Sequence, residues 1–297
     1  MTSPRARRPL DHLVLPVEDL ETARARHAAL GFTMAAEARH PFGTENACVF
    51  FADGTYLEPL AIASREDCEE AARDGNVFVA RDQAYRFRRG DNGFSALVVG
   101  SPDAAADHAR FRALGMSGGG MLEFSRPMAF PDGSQQQASF KLAFTADLRT
   151  PDFFGFAVER VNVPLADRSV LTAHANGATG IREVILSEPN PADFQYFIEE
   201  LCNNREAEAN SFGMSVELEG ATITVFNKAG MEVHFGVLDG QAERGLLGRA
   251  VVFRVADLVA LTELLHANGV AAREFGSRLI VNPAPGQGAY YCFEESR

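Results

Sequence analysis

LDHLVLPVEDLETARARHAALGF, residues 10–32, is the stretch whose reading decides the fold. Apolar residues fill Leu10 to Val17, as a strand requires. Asp19 is placed to cap a helix through its side-chain oxygen, and Leu20, Ala23, His27 and Leu30 recur behind it at helical spacing. Gly31 supplies the left-handed stop. Phe32 to Ala38 then reads as a second strand. Residues 46–52 and 55–62 read as a hairpin turning at Asp53 and Gly54. The unit is βαβββ.

The same phrase returns as GFSALVVGSPDAAADHARFRALGM (93–116), GIREVILSEPNPADFQYFIEEL (180–201) and GRAVVFRVADLVALTELLHANGV (248–270). In the second unit Ser101 is expected to cap, Pro102 to open the helix, and Gln136–Asp147 and Asp152–Arg160 to form later strands. In the third, Asn190 caps and Pro191 follows it. Phe194, Phe197, Ile198 and Leu201 make the buried stripe, and Met231–Leu238 the closing strand. In the fourth, Asp257 caps a helix lying on Leu258, Leu261, Leu264 and Leu265, and Ala289–Glu294 closes. Residues 64–89 read as a polar helical connector broken near Gly75. One unit cannot cover both sides of its own sheet, so units pair, the first with the second and the third with the fourth. The expected organisation is a domain at 8–162, a linker at 163–179 and a second domain at 180–297.

Bulk properties set the limits. At a prior of roughly 150 residues per domain, 297 residues suggest two. A net charge of −12 argues against general nucleic-acid or anionic-membrane binding. No apolar run approaches the ~20 residues of a membrane helix, and the basic N-terminus MTSPRARRPL lacks a signal-peptide core and reads as a frayed tail. Cys48, Cys68, Cys202 and Cys292 are far apart and show no CxxC, which suits a reduced cytoplasmic location. Ser117–Gly120 is no phosphate loop, because no Lys-Ser/Thr follows and no helix opens there.

With DHLVLPVEDLETA, RHPFGTENACVFFADGTYLEPLAI, PDGSQQQASFKLAFTAD, FFGFAVERVNVP and HANGATGIREVIL in view, the chain resembles the glyoxalase-like branch of the vicinal oxygen chelate superfamily. The resemblance spans about Leu10 to Phe293. It implies an α+β fold of four βαβββ modules paired into two cupped mixed β-sheets with helices outside. It also implies one metal in a cup, held by the first and last strands of two paired modules. In unit one those positions are His12 and Glu58. Strand parity places Leu10, His12 and Val14 on one face and Leu13 and Leu15 on the other; Tyr56, Glu58 and Leu60 likewise share a face, so His12 and Glu58 can meet across a neighbouring strand. Unit two offers Ser95, a poor ligand, and Glu159. Units three and four offer Glu183, His234, Ala250 and Cys292.

The expected set is therefore His12, Glu58 and Glu159 around a divalent ion, with Zn, Ni, Mn, Fe and Co not distinguished. Glu58 or Glu159 would move a proton. The implied function is a metal-dependent lyase or isomerase acting on a small vicinally oxygenated substrate through an enolate-like intermediate. Arg39, His40, Asn46 and Tyr56 would bind and orient that substrate, Arg39 by its affinity for a carboxylate. The competing readings stay open: a structural histidine at His12, a Glu58–Arg39 salt bridge, a simple turn at Pro41 and Gly43. So do a metal-free enzyme using Glu58 alone and a protein that sequesters a small molecule without turning it over. A ring-cleaving dioxygenase needs two histidines and a carboxylate, which no half of the sequence clearly offers. His27, His108 and His266 read as surface or boundary residues, Phe153, Phe154 and Phe156 mainly as core. A homodimer is the expected assembly if the chain self-associates.

Overall fold

A computed structural model describes residues 6–129, 135–163, 167–236 and 243–296. Unit one runs β1 (Leu10–Pro16), α1 (Leu20–Ala29), β2 (Ala38–Arg39), β3 (Thr44–Asn46), β4 (Val49–Phe50) and β5 (Tyr56–Ile62). Asp19 caps α1 by accepting from the Thr22 amide at 2.7 Å. The hairpin turns at Asp53 and Gly54, where Gly54 takes φ +90°. The strand expected from Phe32 shrinks to β2. The connector is α2 (Arg65–Arg73) and α3 (Val77–Arg89), with Gly75 at φ +89° between them.

Unit two is β6 (Ala96–Gly100), α4 (Ala104–Ala113), β7 (Leu122–Ala129), β8 (Gln135–Thr145) and β9 (Phe154–Asn162). Here the helix starts later than expected. Asp103, not Ser101, caps it, accepting from the Ala106 amide. Unit three is β10 (Ala178–Ser187), a 3-10 turn at Pro191–Phe194, α5 (Gln195–Cys202), β11 (Glu208–Asn210), β12 (Gly213–Glu217) and β13 (Thr222–Phe226). Asn190 precedes the 3-10 turn without a side-chain cap bond. The expected closing strand from Met231 is instead a helix, α6 (Lys228–Phe235), capped by Asn227. Val237 and Leu238 lie outside the described residues. Unit four is β14 (Leu247–Val255), α7 (Leu258–Ala267), β15 (Ala272–Phe275), β16 (Arg278–Val281) and β17 (Tyr290–Glu295).

The units pair with their neighbours in sequence. One sheet runs β2-β3-β5-β1-β6-β9-β8-β7, with β4 also on β5, and the other β11-β12-β13-β10-β14-β17-β16-β15. In each unit the last strand lies parallel to the first, and the two first strands meet antiparallel at the centre. The architecture is α+β, as the four-unit reading requires.

Strand alternation divides the buried residues between the two faces of each sheet, with a smaller cluster of Val17, Leu20, Ala23, Ala47 and Ala61 under α1. Leu13, Leu15, Leu97 and Val99 of the first sheet share one core with Val184, Leu186, Phe253 and Tyr291 of the second, and α1, α4, α5 and α7 contribute to it. The helix-covered faces of the two sheets therefore pack toward each other. His27, expected near the surface, is fully buried there: Nδ1 donates to the Ala23 carbonyl and Nε2 accepts from the Tyr291 hydroxyl at 2.9 Å. The opposite faces form two cups. Val14, Val98, Phe156 and Val158 line the first, partly covered by Phe78 and Val79 of α3. Ile185, Val252 and Cys292 line the second, covered by Met231 and Phe235 of α6.

Leu10 departs from the expected parity. It packs with Leu13 and Leu15, not with His12 and Val14. A β-bulge at Asp11 resets the alternation, since Leu10 pairs with Val99 while His12 pairs with Val98. The same irregularity recurs between Ile181 and Glu183 in β10. All four cysteines are buried and free. Among the described residues no helix is long and apolar enough to cross a membrane.

Candidate active site in the first cup

β1 and β5 are parallel neighbours, with His12 beside Tyr56 and Val14 beside Glu58. His12 and Glu58 thus point into the same cup, one step apart. His12 Nε2 lies 3.4 Å from Glu58 Oε2. Tyr56 stacks on the imidazole with ring centroids 4.4 Å apart. Because of the bulge, Asp11 reaches the same side, and His12 Nδ1 donates to Asp11 Oδ1 at 2.6 Å. Arg160 forms an ion pair with the Asp11 carboxylate from the far side.

His40 and Asn46 complete the group. His40 Nδ1 is hydrogen-bonded to Thr44 Oγ1 at 2.9 Å, and its Nε2 faces Glu58 Oε1 at 3.7 Å. Asn46 Nδ2 donates to Glu58 Oε1 at 2.5 Å. β2 and β3 set this geometry, since Ala38 pairs with Asn46 and the chain turns back through Pro41 to Gly43. Gly43, at φ +91°, leaves no room for a Cβ, which would stand 2.7 Å from the Cys68 amide nitrogen and the Ser64 carbonyl.

Burial and charge compete at each of these groups. Burial pushes the His12 pKa down, but hydrogen bonds and charge from Asp11 and Glu58 outweigh it and hold it above the ordinary value. Burial pushes Glu58 up, and His12, His40 and Asn46 together hold it below the usual carboxylate range. Asp11 is likewise pushed up by burial and brought down to about 2 by His12 and Arg160. His40 is driven by burial to about 4 and stays neutral near pH 7.

The cup is a cleft with an empty volume of about 740 Å³, open solvent at its mouth included. Its walls are aromatic. Phe42 stacks on His40 at 5.0 Å, and Phe124 meets both Phe42 and Phe140 at 5.3 Å. Phe156 edges His12 at 5.8 Å, whereas Phe153 belongs to the core between the sheets.

Other expected residues are placed elsewhere. Glu159 is on the opposite face of β9 from Val158 and Arg160, and its Oε2 accepts from the Ala104 amide at the start of α4. Its parity is odd where the cup needs even, so it cannot join His12 and Glu58. Register shows the true counterparts: Val98 and Phe156 pair as His12 and Tyr56 do, which makes Val98 and Val158 the unit-two equivalents of His12 and Glu58. Ser95 precedes β6. Arg39 has 77% of its side chain exposed and sits 3.4 Å from Glu45, away from the cup.

In the second cup the equivalents are Glu183, Thr224, Val252 and Glu294, not His234, Ala250 and Cys292. His234 is exposed on α6 and stacks on Phe226. Arg278 joins Glu183 at 2.7 Å to Glu294 at 2.9 Å. That cup carries a covalently tethered cation between its two carboxylates.

Two cup residues carried no sequence signal. Arg126 comes from β7. Arg168 comes from the segment expected to be a linker, and its guanidinium lies 4.2 Å from the Phe50 ring centre. That segment is pinned to unit one: His174 Nδ1 accepts from the Thr33 amide and Nε2 donates to the Phe50 carbonyl.

Among the described residues, no three His, Cys, Asp or Glu side chains form a ready-made metal cluster. The donor chemistry at Glu58 nonetheless suits a divalent ion. Two imidazole Nε2 atoms face one carboxylate, and each ring is held at Nδ1 by a hydrogen-bonding partner, as metal-ligating histidines are.

The family model described as a glyoxalase-like domain matches residues 10–202. No curated protein sequence matches the chain. Solved structures with a similar fold include a hypothetical protein from Staphylococcus aureus (13% identity, 97% of this chain and 100% of that one, TM-score 0.67). A variant of 4-hydroxymandelate synthase from Streptomyces coelicolor matches at 15% identity, 98% and 93% coverage and TM-score 0.61. A Mn(II)-bound glyoxalase from Novosphingobium aromaticivorans matches at 10% identity, 98% and 83% coverage and TM-score 0.52.

Proposed function

From the premise that this chain belongs to the glyoxalase-like domain family of the vicinal oxygen chelate superfamily, we propose that its first cup is the reaction centre of a metal-dependent lyase or isomerase. The substrate is a small molecule with two neighbouring oxygens. The observation that carries this reading is the convergence of His12 Nε2 and His40 Nε2 on the Glu58 carboxylate.

His12, His40 and Glu58 would hold one divalent ion, with His40 taking the place first expected for Glu159; this is the set of two histidines and a carboxylate that neither half of the sequence clearly offered. When bound, the ion supplies Lewis-acid charge to the substrate oxygens and acidifies the adjacent carbon. Asp11 fixes the His12 ring by accepting its Nδ1 proton, and Asn46 fixes Glu58 by donating to Oε1. The paired carboxylates Asp11 and Glu58, which favour an imidazolium at His12, equally favour a cation beside it. Among the described residues lining the cup, Glu58 is the sole carboxylate, so proton transfer falls to it. Its lowered pKa makes it a weak base, sufficient only for an acidified carbon. The phenylalanine walls keep water away from that step.

Metal content, measured on protein purified without added metal, tests this. Wild type should carry an ion that His12→Ala, His40→Ala and Glu58→Gln lose. Equal content in all four would refute it. A second reading, a sequestering protein without turnover, is favoured by the absence of a ready-made cluster among the described residues and by Glu58's full set of partners. Thermal stabilisation by small organic ligands but by no divalent ion would support that reading instead.

A further inference from the structure

Cations outnumber anions on the cup wall. Arg160 is matched by Asp11, and Glu58 by His12. Arg126 and Arg168 also line the cup, and among the described residues neither guanidinium has a carboxylate partner. The cross-strand neighbour of Arg126 is Ala138. Instead of acids, both arginines approach aromatic rings: Arg126 stands 6.0 Å from the centre of Phe140, and Arg168 4.2 Å from that of Phe50. All of these charges converge on the cavity. The buried Cys48 thiol, pushed up by burial and by Glu58, is pulled back by Arg126, Arg168 and Arg160.

Two unmatched guanidinium groups in a half-buried cleft are unusual in a chain of net charge −12. Each loses hydration and gains no counter-ion from the protein. A bound anion would supply that counter-ion through charge-assisted hydrogen bonds, which arginine makes in a planar, forked geometry. The rest of the wall selects the body of the molecule. Phe42, Phe124 and Phe140 offer faces and edges suited to a flat ring.

We propose that the cup takes a small aromatic anion, a carboxylate or phosphate on a planar ring, with its anionic group between Arg126 and Arg168. This deepens the proposed function, because it names the substrate class for the same site. The oxygens that react face Glu58, and the recognition group faces Arg126 and Arg168, which line the same cup. Arg126 and Arg168 are specificity residues that touch the ligand and take no part in proton transfer.

Isothermal calorimetry with 2-naphthoate, 2-naphthyl phosphate, 2-naphthamide and acetate tests the proposal on the full chain. At least one of the two aromatic anions should bind at least about tenfold more tightly than the neutral amide, as expected for charged hydrogen bonds. Acetate, which lacks the ring, should bind more weakly still. Comparing the carboxylate with the phosphate identifies the preferred head group. Arg126→Gln and Arg168→Gln should each weaken the preferred anion about tenfold and leave the amide unchanged, with melting temperatures equal to wild type.

Equal affinity for anion and amide would overturn the proposal, as would the absence of saturable binding by either anion. Anion binding lost in His12→Ala but intact in both arginine variants would also overturn it, because the imidazole and not the arginines would then hold the anion. Equal metal content in wild type and the His12, His40 and Glu58 variants, with anion binding still lost in the arginine variants, would defeat the metal reading and leave this one standing.

Discussion

Asp11 and His12 are adjacent in a strand, yet their side chains meet on one side of the sheet, with Asp11 Oδ1 2.6 Å from His12 Nδ1. In regular alternation they would face apart. The bulge at Asp11 brings them together and continues the contact to Arg160 on β9. The local irregularity turns a lone imidazole into an oriented one.

Asp11→Asn should therefore lower divalent-metal affinity about 10–100-fold without abolishing the fold. Competition against a chromogenic chelator measures it. Wild-type affinity in the variant would show that Asp11 does not orient His12.

Glu159→Gln should leave metal content and ligand binding unchanged. It should cost about 0.5–1 kcal/mol of stability, because the carboxylate sits at the N-terminal end of α4. Urea unfolding gives the cost. Loss of metal from this variant would contradict the face assigned to Glu159.

His27 links stability to pH. Burial lowers its pKa from 6.5 to about 4, outweighing the bond to Ala23. The folded state holds the neutral ring, and the unfolded state takes up the proton first. Stability is thus complete above pH 6.5 and falls as pH drops toward 4, by about 3 kcal/mol over the window. His40, also held neutral by burial, adds to the same fall. A His27→Gln variant should show a shallower decline than wild type in denaturant titrations between pH 7 and 4. Identical slopes would exclude His27 as a source.

Gly288→Ala should destabilise the chain by about 2–4 kcal/mol. Gly288 has φ +76°, and a Cβ there would stand 2.5–2.7 Å from the backbone of Gly93. This contact joins unit four to the start of unit two, so the damage falls on the interface between the sheets. An unchanged unfolding midpoint would show that the two backbones separate freely.

Much of this was legible in the chain itself. Capped helices followed by glycine carry their own local signals in units one, two and four: Asp19, Asp257, Gly31 and the break at Gly75 all act where the spacing indicates, whereas the unit-three helix has no side-chain cap and ends on Asn203. Local pattern was less decisive after Asn227. There an asparagine cap and the buried residues Met231 and Phe235 make a helix, while the apolar run suggested a strand. His12, Glu58, Tyr56, His40 and Asn46 all stood out as polar residues in or beside apolar strands. Arg126 and Arg168 did not, because an arginine in a polar stretch reads as solvated until the surrounding walls are known.

The sequence alone determined the four βαβββ units and the polar residues of the first, because capping, helical spacing and strand composition act over a few residues. Tertiary structure alone decided which side chains share the cup. Register between distant strands, and a single extra residue at Asp11, set the face on which each side chain lies. Through that choice His40, expected only to orient substrate, came to face Glu58, Glu159 turned away from the cup, and Arg278 filled the second cup with a cation of its own.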